Sequence, residues 1–259
     1  MTKHRTIISE IGNTPLIKLK KISELTGCDI YGKAEFLNPG QSIKDRTALK
    51  IIEEAELRKD LTKGGLIVEG TAGNTGIGLS IVANAKGYKT KIIIPNTQSE
   101  EKKSTLRSYG AELIEVPAVP FSDDKNYQHV ARRIAEEETK KTNNGVLFAD
   151  QWNNLDNIKA HYEGTGPEIW NDTNGKLDGF VCSIGTGGTI TGISNYLKEK
   201  NQNIKIAVAD PHGASMYNYF KNNNVIASSG NSISEGIGLG RVTPIIKEAI
   251  NIDFSYLID

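Results

Sequence analysis

Short apolar runs separated by longer stretches of helical spacing recur along the chain: Leu66 to Val68, Lys91 to Ile94, Leu113 to Val116, Gly179 to Ile184 and Ile204 to Ala209. This alternation predicts parallel strands joined by crossover helices, hence an α/β fold of mainly parallel, twisted sheets with helices on both faces. Between them, Ala118 to Asp124 and Lys140 to Gly145 read as loops, the second near a lobe boundary. The run Arg132 to Lys141 sets Glu136 against Lys140 and Glu137 against Lys141 at i,i+4, and reads as a solvated helix face. The sequence shows no internal repeat.

Three glycine-bearing segments add chemistry to this frame. In Asn38-Pro39-Gly40-Gln41-Ser42-Ile43-Lys44-Asp45-Arg46, a lysine stands in a Gly/Pro turn just before an apolar-periodic helix. The partial positive charge of a helix N-terminus favours the neutral amine there, a nucleophile able to form a Schiff base. Glu69-Gly70-Thr71-Ala72-Gly73-Asn74-Thr75-Gly76 follows a strand and precedes a helix from Ile77 to Lys86. Backbone N–H groups at such a helix start are free for a carboxylate, and Thr71, Asn74 and Thr75 add side-chain donors. Gly185-Thr186-Gly187-Gly188-Thr189 sits between a strand and a helix running to about Lys198, and reads as a phosphate cradle. It ends without the Gly-Lys-Ser/Thr of a Walker loop, and Ile190 stands where a dinucleotide fingerprint needs its third glycine, so the phosphate is better read as not a nucleotide's. Taken singly, each loop is equally a tight βα turn and Lys44 an ordinary first-turn lysine. Taken together, they describe a pyridoxal phosphate enzyme acting on an amino acid.

Length and charge narrow the class without deciding it. At 259 residues the chain suits one large domain or two lobes and can bury most of its apolar surface. Lys plus Arg equals Asp plus Glu at 31 each, which argues against nucleic acid or an acidic membrane surface as partner. The start, Met1 to Glu10, lacks an apolar secretory core and no later run is long enough to span a bilayer; a cytoplasmic, soluble protein is expected. Two cysteines make no disulfide framework and four scattered histidines make no metal site, so no metal is expected. Cys182, inside an apolar strand, reads as a small core residue and Cys28 as a loop thiol.

The chain resembles the cysteine synthase (O-acetylserine sulfhydrylase) family of pyridoxal phosphate enzymes, which have the tryptophan synthase β-type fold (fold type II). The resemblance rests on Gly12-Asn13-Thr14-Pro15-Leu16, Pro39 to Arg46, Thr71 to Gly76, Gly185 to Gly192 and Glu235-Gly236-Ile237-Gly238-Leu239-Gly240, in family order across nearly the whole chain. It implies two α/β lobes with the cofactor, pyridoxal 5'-phosphate, between them: a smaller lobe at 40–150, and a larger one built from 1–39 with 151–259. It further implies that Lys44 forms the internal aldimine, that Asn74 meets the cofactor's ring hydroxyl, and that Gly185, Thr186, Gly187, Gly188 and Thr189 hold its phosphate. Thr71, Gly73 and Thr75 would receive the substrate carboxylate, with Gln151 as a further contact and Gly236 in a glycine-rich loop facing the site. His161 resembles a family position and is read as structural.

The implied reaction is β-replacement, forming L-cysteine from O-acetyl-L-serine and sulfide through an aminoacrylate, in a homodimer. Cystathionine β-synthase and cyanoalanine synthase share most of these motifs and remain alternatives. Two departures stand out. Family members continue past the position of Asp259, so the larger lobe is expected to be incomplete and Phe254 to Ile258 to leave apolar side chains without partners. A catalytically silent fragment that binds only cofactor or a partner is therefore the alternative of another class. Ala72 stands where many relatives carry serine, a change expected to alter preference rather than abolish binding.

Overall fold

The computed structural model describes residues 5–259; Met1 to His4, the first part of the charged start, lie outside the described residues. Near the N-terminus, β1 (Leu16–Lys18), α1 (Lys20–Thr26) and β2 (Tyr31–Lys33) form a small unit in which β1 and β2 pair antiparallel. The chain then enters α2 (Lys44–Arg58) and a run of β3 (Leu66–Gly70), α3 (Asn74–Lys86), β4 (Lys89–Pro95), α4 (Glu100–Ser108), β5 (Glu112–Val116), α5 (Tyr127–Thr139) and β6 (Val146–Phe148). These four strands make one parallel sheet in the order β5-β4-β3-β6. Next come α6 (Asp156–Ala160), a π-helical turn (His161–Thr165), α7 (Gly166–Asp172), β7 (Gly179–Cys182), α8 (Gly188–Lys200), β8 (Lys205–Pro211), α9 (Met216–Asn222), α10 (Pro244–Lys247) and β9 (Phe254–Ile258). Here β8 is central, parallel to both β7 and β9. The α/β architecture with parallel sheets is the one expected from the apolar runs. No helix among the described residues is long and apolar enough to cross a membrane.

Two cores sit beside these sheets. Ile51 and Ile52 of α2 meet Leu79 and Val82 of α3 and Ile67 of β3, while Ile190, Ile193 and Leu197 of α8 meet Ile206 and Val208 of β8. Helix α3 is buried continuously from Thr75 to Ala83, because α2 covers one flank and the sheet the other. Gly78 makes that closeness possible: a Cβ there would lie 3.0 Å from the Lys44 carbonyl oxygen and 3.1 Å from the Asp45 nitrogen. The start of α2 is thereby drawn against α3, and Lys44 against the loop that opens α3. Both loops of interest leave the carboxyl ends of parallel strands, β3 and β7, where crevices form in open α/β sheets.

Some local expectations change. Helix α5 ends at Thr139, so Lys140 and Lys141 lie beyond it; instead of the i,i+4 pairing with Glu137, Lys141 reaches Glu138 at 3.1 Å. Helix α3 begins at Asn74 rather than Ile77, which puts Asn74 and Thr75 in its first turn. Phe254 and Tyr256 on β9 are 47% and 56% exposed and Val181 on β7 is 58% exposed, so one part of the three-stranded sheet presents apolar side chains to solvent.

Candidate active site

A cleft of about 770 Å³ opens at the carboxyl ends of β3 and β7. Lys44 stands on its lining beside Thr71, Gly73, Asn74 and Thr75 from the loop after β3. The same lining carries Gln151, Gly185, Thr186 and Gly236. Gly187, Gly188 and Thr189 are not on the lining; they form the N-cap and first turn of α8 directly behind it. The candidate residues from five distant stretches of sequence thus converge on one place.

Lys44 is the first residue of α2, as its turn predicts. Burial pushes its amine below the ordinary lysine range, with the neighbouring Cys182 pulling weakly the other way. Desolvation in the cleft, rather than the helix end alone, therefore favours the neutral amine. Burial likewise pushes the Cys182 thiol up to about 12, against the Lys44 charge, so the sulfur stays protonated and behaves as a core atom. The preceding turn is clamped by Asp45, fully buried, whose Oδ2 accepts from the Gly40 N–H.

In the loop after β3, Thr71 Oγ1 accepts from the Gly73 N–H at 3.1 Å, and Thr75 Oγ1 donates to Gln151 Oε1 at 2.5 Å. Helix α3 has no side-chain N-cap, which leaves first-turn N–H groups facing the cleft. Beneath the loop, Gln151 Nε2 donates to Glu69 Oε1 at 3.3 Å and the Gln151 N–H approaches Glu69 Oε2 at 3.4 Å. Burial and the field of Asp150 push the Glu69 carboxyl up to about 8 despite those donors. Because its folded value lies above the ordinary 4.5, the fold favours the protonated acid, and stability falls as pH rises from about 4.5 through about 8. Glu69→Gln is expected to flatten that slope, with the largest gain over the parent above pH ~8. Urea midpoints measured across this range decide it, and parallel curves for the two proteins would refute the assignment.

Sequence reasoning missed the polar scaffold behind the second loop. Asn157 on α6, buried, donates from Nδ2 to Thr186 Oγ1 at 2.8 Å and to the Gln151 carbonyl at 2.9 Å, while its Oδ1 accepts from Thr47 Oγ1 at 3.1 Å. Its neighbour His161 lies 3.4 Å from both Thr47 Oγ1 and Thr189 Oγ1 and 3.0 Å from Thr165 Oγ1. Burial, then the charges of Lys44 and Arg46, drive the His161 imidazole down to about 3, so it is neutral and serves as a hydrogen-bonding post. Only a three-dimensional contact reveals Asn157, since nothing in its helical stretch distinguishes it from a surface amide.

Comparison with known proteins places this geometry. The sequence matches the family described as pyridoxal-phosphate dependent enzyme over residues 7–256. The chain belongs to the pyridoxal-phosphate dependent enzymes. It is 52% identical over 244 residues to cysteine synthase 1 of Neurospora crassa, covering 93% of this chain and 64% of that protein. It is 45% identical over 210 residues to cystathionine beta-synthase of Apis mellifera, covering 80% of this chain and 41% of that protein. Among solved structures, O-ureido-L-serine synthase superposes with a TM-score of 0.85 at 31% identity, over 99% of this chain and 76% of that one. The chain thus spans less than two thirds of the length of the cysteine synthase it matches.

The site fits the pyridoxal phosphate of this family on its own geometry. Gly187 takes φ +96° as the N-cap of α8 and no side chain caps that helix, so its leading N–H groups are available to a phosphate. At Gly188 a Cβ would collide with the Asn157 side chain, and at Gly185 with the Gly236 carbonyl oxygen, so the cradle tolerates only glycine at both. The one lysine on the cleft lining whose amine is shifted downwards, Lys44, completes the set.

Proposed function

We propose that the chain catalyses β-replacement, forming L-cysteine from O-acetyl-L-serine and sulfide. The observation that carries the reading is Lys44, its amine desolvated, in a cleft shared with two glycine loops, in a chain 52% identical to a cysteine synthase. Bound pyridoxal phosphate supplies the electron sink that acidifies the substrate's α-proton. Gly185 to Thr189 and the start of α8 hold the phosphate, and Asn74 meets the ring hydroxyl. The loop of Thr71, Gly73 and Thr75 receives the substrate carboxylate through the Thr71 O–H and the Thr75 N–H, the Thr71 and Gly73 N–H groups being engaged with the Ile93 carbonyl and Thr71 Oγ1, together with the second Nε2–H of Gln151. Lys44 Nζ, favoured as the neutral amine, takes the proton from Cα while the acetate leaves Cβ, and returns it after sulfur has bonded there. Trp152 and Ile237 line the cleft and exclude water. Gly236 lies in the loop that faces the reacting atoms.

The division into lobes at 40–150 and at 1–39 with 151–259 belongs to this reading, supported by the four-stranded sheet falling within the first range and the three-stranded sheet within the second. So do a homodimer, which rests on the family resemblance, and a cytoplasmic location. The 45% identity to a cystathionine beta-synthase favours a second reading, condensation of serine with homocysteine.

The visible spectrum of the chain loaded with pyridoxal phosphate, before and after O-acetylserine, tests the first half of the reaction. A cofactor band that O-acetylserine shifts and sulfide restores, with cysteine released, is the expected result. Turnover with serine and homocysteine alone would select the second reading. A cofactor band that no substrate alters would mean that the chain binds without catalysing.

A further inference from the structure

One carboxyl group beneath the cleft has no part in the reaction just described. Glu69 stands near the carboxyl end of β3 and is 1% exposed. Both of its oxygens face Gln151, one towards the side-chain Nε2 at 3.3 Å and the other towards the backbone N–H at 3.4 Å. Gln151, itself buried, is pinned on its other sides: Oε1 accepts from Thr75 Oγ1, and the carbonyl accepts from Asn157 Nδ2. The amide nitrogen therefore has one hydrogen on Glu69 and a second left for the cleft that Gln151 lines.

The charged and titratable groups that face Glu69 are Asp150, whose carboxylate Arg132 holds at 2.9 Å, and the phenol of Tyr127 on α5, itself in the field of Arg241. No cation among the described residues forms an ion pair with Glu69, so burial and the Asp150 field favour its neutral acid. That acid still accepts from the Gln151 Nε2–H through its carbonyl oxygen, and the amide keeps its place when the charge is removed. Once a substrate carboxylate settles against the second N–H, a single nitrogen stands between two carboxyl groups. Two negative charges on one buried amide repel each other, and a proton on Glu69 removes the conflict.

We propose that Glu69 is a positioning residue of the carboxylate loop, acting through Gln151, and that the loop binds a substrate carboxylate together with a proton held on Glu69. The inference rests on the β-replacement reading for the carboxylate that enters the loop. It concerns binding alone: no bond to carbon changes, and a proton that is not yet in place comes from solvent. Carboxylate and proton then strengthen each other's binding by the same factor. Below about pH 8 the proton is already on Glu69, whereas above it the site must take one up and affinity falls.

The test uses the cofactor-loaded protein and reads, by the absorbance change on binding, the Kd of two ligands that cannot eliminate: L-norleucine, and L-norleucinamide, which lacks the carboxylate. Parent, Glu69→Gln and Asp150→Asn are compared from about pH 6.5 to about pH 9.5, so that the ligand's own amine cancels in the ratios between proteins. Parent and Glu69→Gln are expected to bind norleucine within about twofold of each other near pH ~7, and the parent on the order of tenfold more weakly near pH ~9.5. Norleucinamide should show no such divergence. Asp150→Asn, which takes away the field favouring the acid, should bring the fall in norleucine affinity to lower pH. Calorimetry near pH ~8.5 in buffers of different ionisation heat should find more protons taken up with norleucine by the parent than by Glu69→Gln. Parallel norleucine profiles for those two proteins, or an equal divergence with norleucinamide, overturn the inference while leaving β-replacement intact. Glu69-dependent norleucine binding in a protein that makes no cysteine from O-acetylserine and sulfide supports the inference and overturns the β-replacement reading instead.

Discussion

Lys44→Ala is expected to lower cysteine formation by at least about a thousandfold, because no neighbouring group can take over its proton transfer. The nearest candidates are each disqualified by their surroundings. Cys182 is held as a thiol at about 12 by burial, and His161 is held neutral at about 3 and engaged with threonine hydroxyls. Lys102, the other lysine on the cleft lining, is tied to Glu235. Lys44→Arg should fare no better, since a guanidinium keeps the charge but cannot give up its proton. Cysteine release, followed with near-ultraviolet circular dichroism to show that the fold survives, settles the matter. Turnover within about tenfold of the parent in either variant would remove Lys44 from the mechanism.

The largest effect on stability is expected two residues away. Arg46 is 5% exposed and binds two carboxylates at once: Nε and Nη2 donate to Glu35 at 2.7 and 2.9 Å, and Nη1 and Nη2 donate to Glu168 at 2.6 and 2.7 Å. Burial pushes the Glu168 carboxyl up, but bonds from Arg46 and Lys33 outweigh it and bring the group down to about 2. Arg46→Met keeps the bulk and leaves both acids largely buried with half their partners gone, so a loss of about 3 to 5 kcal/mol is expected in urea denaturation at neutral pH. Adding Glu168→Gln should recover part of that loss, because the penalty belongs to the stranded charge more than to the missing bond. A single-variant loss below about 1 kcal/mol would show that the network is as weak as an exposed ion pair.

How much of this could be read in the sequence depended on how local the signal was. Strands β3, β4, β5, β7 and β8 announce themselves as apolar runs between helical stretches, and the two glycine loops fall where a strand gives way to a helix. Strands β1, β2 and β6 are three residues each, too short to leave a periodicity, and β9 reads first as an abrupt apolar end. In the site, Lys44 and the glycine loops carry their chemistry in their immediate neighbours. Asn157 and Glu69 do not, since each matters only through side chains far away in the chain. Arg241 likewise leaves no local mark at the end of a glycine-rich stretch, because its aromatic partners Phe121 and Trp152 come from distant parts of the chain.

The hydrogen bonds from Thr75 to Gln151, and from Asn157 to both the Gln151 carbonyl and Thr186, join the two glycine loops through only two side chains. Such a strut makes the loops one mechanical unit rather than two adjacent receptors. Whatever settles on the Thr186 side and stiffens it is felt at Thr75, and by reciprocity the occupant of either loop changes the other's affinity by the same factor. Occupying either loop therefore changes how readily the other is occupied, by the same amount whichever is filled first.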